Sequence, residues 1–217
     1  SDFFINSDLA TDNVYANLNA SASVTKSYEP WFIWAATHQY NGIEDAYWRQ
    51  LYKSVYYANT VLDEFSGKIP SAEEKNLFET VRGEAYALRA YNYWCLVNSY
   101  ALPWSKENLD KPGVIIRTEP QIDVSARGRS SIRDVYDLIN GDIEKAEKYI
   151  NVATFDGNIH RLSEPAILLL ASRIALFQEN WDEVIRTGKL FLAQNSVILN
   201  LNDQDTTLFG TEKGLSN

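Results

Sequence analysis

The chain has 217 residues, with 20 Lys and Arg against 29 Asp and Glu, a formal net charge of −9. That length can bury an ample core without staples, and that charge excludes a protein whose affinity comes from neutralising phosphates or anionic headgroups, so nucleic acid is not an expected partner. The single cysteine, Cys95, excludes an internal disulfide and a Cys-based zinc site; set in the apolar run Tyr91–Val97, it reads as a buried structural thiol.

Residues 1–43 mix Asn, Ser, Thr and Ala with aromatics and end in Trp31-Phe32-Ile33-Trp34 and the turn-prone Tyr40-Asn41-Gly42, which predicts a short helix and loop. The opening Ser1-Asp2-Phe3-Phe4 has neither Met nor a basic leader, and no run approaches a membrane span, so any signal peptide or lipid-bearing cysteine is expected upstream. From Glu44 the residues Trp48, Leu51, Tyr52, Val55, Asn59, Leu62 and Phe65 line one helical face until Gly67 and Pro70 stop it. Ser71 and Glu74 make a capping box for a second helix, with a stripe of Leu77, Val81, Ala85, Leu88, Cys95 and Val97, running to about Tyr100. Its second half is apolar nearly all round, which predicts neighbours on several sides.

Residues 101–129 carry the turn formers Pro103, Pro112-Gly113 and Pro120 around the β-prone Val114-Ile115-Ile116, a long connection of the kind usually kept for function. Ser131 and Asp134 start a third helix with the stripe Ile132, Val135, Ile139, Ile143, Ala146 and Ile150. Ser163, with Glu164-Pro165 in the first turn, starts a fourth helix to about Phe177; Asn180 caps a fifth, roughly Trp181 to Gln194. The last two form a helix hairpin, the unit of helical repeat arrays, although the strict tetratricopeptide pattern is not met. The expected fold class is thus all-α: a tetratricopeptide-like, right-handed superhelical array of helix hairpins. The whole of 1–217 reads as one domain, with an irregular segment at 1–43, a helix pair at 44–100, a long loop at 101–129, three helices at 130–195 and a truncated tail at 196–217.

Four segments, read together, resemble the SusD and RagB family of outer-membrane lipoproteins, in order and spacing. They are Trp48-x-x-Leu51-Tyr52-x-x-Val55-Tyr56-x-Ala58-Asn59, Gly83-Glu84-Ala85-Tyr86-x-Leu88-Arg89-Ala90-Tyr91, Ser131-Ile132-x-x-Val135-Tyr136, and Leu169-x-Ala171-Ser172-Arg173-Ile174-Ala175-Leu176-Phe177 before Asn180-Trp181. The resemblance implies a protein lipid-anchored on the surface of a Bacteroidetes-type cell, which captures glycans or other nutrients and hands them to a SusC-like TonB-dependent transporter. It implies no enzyme activity and no cofactor. It also implies that much of the usual ligand site lies in a downstream half. One departure stands out: Tyr100-Ala101-Leu102-Pro103 replaces the family's Tyr-Gly, which leaves the shape of that turn open.

Sugars present flat apolar faces and many hydroxyls, so a capture protein needs aromatic platforms flanked by amides and a few charges. The segment Trp31, Trp34, His38, Tyr40 and Asn41 has that mix, and in the family the loop before the first strong helix often contributes to the ligand site. Packing of Trp31, Phe32 and Trp34 onto the helices is the competing assignment, and the usual burial of Trp favours it. Trp104 fits a platform or a plug equally well. Asn59, which interrupts an apolar stripe, and Glu84 and Arg89, in an apolar helix, are expected to hold structural partners. His38 and His160 have no nucleophile motif around them, and Asn200–Asp205 lacks the Gly and Glu of a calcium loop, so neither a catalytic dyad nor a metal is expected. The competing functions are a tetratricopeptide-like protein-interaction scaffold and a two-carboxylate glycosidase.

Overall fold

The computed structural model describes residues 45–121, 127–150 and 161–194. The chain divides into two compact units, Ser1–Ser163 and Glu164–Asn217. In the first, α1 (Ala46–Glu64), α2 (Lys75–Tyr100) and α3 (Ile132–Tyr149) are arranged so that α2 packs against both α1 and α3. In the second, α4 (Glu164–Phe177) packs against α5 (Trp181–Gln194). The described residues are therefore all-α, as expected.

Each start has a local cause. The Asp45 carboxylate accepts the amides of Tyr47 and Trp48 at 3.0 and 3.1 Å, which begins α1 two residues after the sequence suggests. Gly67, at φ 71°, lies just beyond its end, where the left-handed conformation suits glycine. The Ser71–Glu74 box forms, with Ser71 Oγ donating to the Glu74 carboxylate at 2.9 Å, but residues 72–74 make a turn and the regular helix begins at Lys75. At α3 the box of Ser131 and Asp134 is complete, and Lys148 in the last turn complements the helix dipole. In the α4–α5 link, Glu179 takes φ 56°, Asn180 N–H donates to the Ala175 carbonyl, and Asn180 Oδ1 then accepts the Glu183 amide.

The expected stripe of α3 is buried throughout, from Ile132 to Ile150. That of α2 needs correction in part: Ala85, Cys95 and Val97 are buried as expected, but Leu77 and Leu88 are exposed, and Ala87, Ala90 and the run Asn92–Trp94 are buried as well. The helix between two neighbours turns small residues toward close contacts. Gly83 is the extreme case, since a β-carbon there would sit 2.5 Å from Ile150 Cγ1 and 3.1 Å from Tyr149 Cβ. Cys95 is a buried thiol outside any disulfide.

Val114-Ile115-Ile116 forms no strand. Gly113 N–H donates to the Ser130 carbonyl and Ser130 N–H to the Val114 carbonyl, leaving an isolated antiparallel bridge between Pro112 and Ser131 that seats Val114 in the core. Ala101 is extended at φ −131°, so the position where the family carries Gly needs no left-handed backbone.

Candidate functional site

The long loop is held by side chains whose polarity interrupts the helical stripes. Tyr52 hydroxyl donates to the Ile115 carbonyl at 2.7 Å, and Asn59 Nδ2 to the Arg117 carbonyl at 3.0 Å. Tyr93 hydroxyl donates to the Arg117 carbonyl at 2.8 Å while accepting the Arg117 amide at 2.6 Å. The backbone groups of Ile115 and Arg117 thus find side-chain partners without a sheet.

Beneath this strap lies a buried ionic network. Arg89 makes a bidentate pair with Asp142, Nε to Oδ2 at 2.7 Å and Nη2 to Oδ1 at 2.8 Å, and its Nη1 donates to Asn59 Oδ1 at 2.8 Å. One guanidinium therefore ties α2 to α1 and α3, while the Asn59 amide passes the connection to the loop. Glu84 similarly accepts both Nε and Nη2 of Arg161 at 2.7 Å. Asn59, Glu84 and Arg89 all hold the structural partners expected of them.

Between α1 and the strap is a cavity of about 300 Å³ lined by Tyr52, Val55, Tyr56, Asn59, Arg117, Glu119 and Gln121. This is the small end of the range in which protein ligand pockets fall, roughly 300–1,000 Å³. Tyr52 and Asn59 spend their polar atoms on the fold. Tyr56 is 39% exposed, and Glu119 and Gln121 are exposed, so an aromatic face, a carboxylate and a primary amide remain open to a ligand. Such a set suits a ring with an apolar face and edge hydroxyls. Glu119 is the one carboxylate among the described residues of this lining.

Of the residues picked out in the sequence, Trp104 is half-buried and meets Tyr136 edge-on, with ring centroids 4.6 Å apart. It does not line the cavity. Trp31, Trp34, His38, Tyr40 and Asn41 lie outside the described residues, as do His160 and Asn200–Asp205. Among the described residues no three His, Cys, Asp or Glu side chains converge as metal ligands, and no helix is long and apolar enough to cross a membrane. Sequence reasoning passed over Tyr56, Glu119 and Gln121. Tyr56 stands next to the buried Val55 on α1 and gives no periodic signal, and the other two gain their meaning only when Asn59 and Tyr93 fold the loop back.

A helical domain with a loop-bounded polar and aromatic cavity is an architecture able to hold a ligand. The chain belongs to the SusD-like family: the family model, described as starch-binding and associating with the outer membrane, matches residues 5–176. SusD-like protein P38 of Formosa agariphila is 27% identical over 158 residues, covering 71% of this chain and 27% of that protein. Protein P25 of the same organism is 24% identical over 136 residues, covering 62% and 23%. The chain thus spans about a quarter of the length of these curated relatives. A SusD superfamily structure from Bacteroides fragilis superposes with a TM-score of 0.71 at 20% identity, over 91% of this chain and 44% of that one. A laminarin-binding SusD-like protein gives 0.67 at 17% identity, over 89% and 41%. At such identities the likeness establishes the fold, and the tetratricopeptide-like assignment is borne out.

Proposed function

We propose that this chain is the helical part of a cell-surface protein that binds an oligosaccharide or polysaccharide without chemical turnover. In this reading the protein passes its glycan to a SusC-like TonB-dependent transporter and is held at the outer membrane by a lipid anchor upstream of residue 1. The observation that carries the reading is the match to a starch-binding, outer-membrane-associating family over residues 5–176. The laminarin-binding likeness supports a saccharide as the ligand class. Locally, Tyr56, Glu119 and Gln121 around a 300 Å³ cavity supply the platform and hydrogen-bonding groups for one sugar ring. Trp31, Trp34, His38, Tyr40, Asn41 and Trp104 are proposed as further ligand contacts. The exposed Leu169, Leu176, Phe177 and Trp181 of α4 and α5 favour protein contact as a second role, with the transporter as partner.

The test is calorimetric titration of the complete protein with neutral glycans, starch and laminarin oligosaccharides among them. Saturable, reversible binding is expected, and Tyr56→Ala should weaken it about tenfold, or ~1.4 kcal/mol. No binding to any glycan or other small nutrient would overturn the reading.

A further inference from the structure

On the seam between α2 and α3, Tyr86 and Tyr149 lie nearly parallel, 10° apart, with ring centroids separated by 6.1 Å. Four cations lie over them; Arg89, 5.6 Å from the Tyr86 centroid, is already paired with Asp142, and the other three are Arg82, Lys145 and Lys148. Arg82 Cζ is 4.7 Å from the Tyr149 centroid, Lys148 Nζ is 5.8 Å from the same ring, and Lys145 Nζ is 5.1 Å from that of Tyr86. The ring faces hold these cations in place without using up their N–H donors.

In a chain with nine more acids than bases, clustered cations should find carboxylates readily, and these three do not. Among the described residues none of the three forms an ion pair. Of the acids on the same helices, Glu79 faces Lys75 at 4.0 Å and Asp142 is bound to Arg89. Arg82 Nε is, in addition, buried with no acceptor. Two exposed ammonium groups and a half-buried guanidinium, none of them in an ion pair, leave charged donors for an acceptor from outside.

We infer that Arg82, Lys145 and Lys148, carried on the Tyr86–Tyr149 pair, form a site for a compact anion, namely the sulfate ester or carboxylate of an acidic saccharide. The choice of saccharide rests on the proposed function above; the choice of anion rests on the cluster alone. Three cations on a chain of net charge −9 are too few to hold a nucleic acid or an anionic bilayer by charge. They match one sulfate or carboxylate, which accepts two or three charge-assisted hydrogen bonds.

Ligand-observed saturation-transfer NMR on the complete protein, at fixed ionic strength, would compare glucose 6-sulfate and glucuronate with glucose. The double variant Arg82→Gln/Lys148→Gln keeps the apolar stems and removes two charges, and circular dichroism would verify that it folds. At least one charged sugar is expected to bind about tenfold more tightly than glucose, to be displaced by sodium sulfate, and to lose that advantage in the double variant. Charged and neutral sugars binding alike, or a charge preference untouched by the variant, would overturn the inference while leaving the glycan reading intact. Silence toward every glycan would overturn both. A variant that loses binding to phosphatidylglycerol vesicles but not to charged sugars would assign the cluster to lipid instead.

Discussion

Two regions of this protein carry an arginine–aspartate pair, and they are bound to matter very differently. At the seam of α2 and α3, Arg89 and Asp142 are 7% and 0% exposed at their side chains and meet through two hydrogen bonds. At the rim of the long loop, Arg133 reaches Asp110 at 3.1 Å with side chains 49% and 86% exposed. Contact distance is nearly the same; the surrounding dielectric is not. Water around the rim pair supports either charge alone, whereas in the seam Arg89 has only Asp142 as a countercharge, with the Asn59 amide as its further acceptor.

Breaking the seam should therefore have the largest effect. Asp142→Ala leaves the Arg89 cation buried with only Asn59 as acceptor, and a loss of ~3–5 kcal/mol in urea unfolding is expected. Replacing both by apolar residues, Arg89→Met with Asp142→Leu, should recover much of that loss. If the single variant costs as little as a surface change, the network does not hold the three helices together.

Alkali attacks the same seam through its tyrosines. Burial pushes the Tyr93 and Tyr136 hydroxyls up to about 12, and both rings are essentially inaccessible. Because the folded values lie above the ordinary value of 10, the folded state keeps protons that the unfolded chain has lost. Their contribution is fully present below pH 10 and disappears as pH rises through 12, on the order of 2–3 kcal/mol for each hydroxyl. Denaturation midpoints should be flat from pH 7 to 9.5 and fall above 10; a flat profile to pH 12 would contradict the burial of these hydroxyls.

Two smaller perturbations sharpen the comparison. Gly83→Ala drives a methyl against Ile150 and Tyr149, where neither contact atom is a free side-chain end, and should cost about 1–3 kcal/mol despite alanine's better helix propensity. A gain in thermal stability would mean that the end of α3 yields easily. Ser131→Ala removes the hydroxyl that accepts the Asp134 amide at 3.1 Å and should cost about 1 kcal/mol by the same assay.

How far these features could be read in advance depends on whether their cause is local. The caps at Ser131 and Asn180 and the α3 stripe are set within a few residues, and their sequence reading holds. The polarity of Asn59, Glu84 and Arg89 announced partners without naming them, since Asp142 lies 53 residues from Arg89 and Arg161 lies 77 from Glu84. Leu77 and Leu88 were misread because a helix wedged between two neighbours follows close contacts, not the largest side chains. The cavity was the least legible feature. Tyr56 meets Glu119 and Gln121 only after a loop with no periodicity of its own has been tied back by Tyr52, Asn59 and Tyr93.

The smallest expected effect isolates the principle behind the largest. Asp110→Ala removes the acceptor of both Arg133 Nε and Nη2, at 3.2 and 3.1 Å, so the bonds lost match in number those lost in Asp142→Ala. Arg133 then turns to water, and the cost should stay within about 0–1 kcal/mol and shrink further in 0.5 M salt. Its backbone amide still donates to the Leu109 carbonyl at 2.9 Å, so the loop keeps its anchor on the first turn of α3. A loss above 2 kcal/mol would show that the rim pair, and not the Leu109 and Lys111 carbonyls, fastens the long connection to that helix.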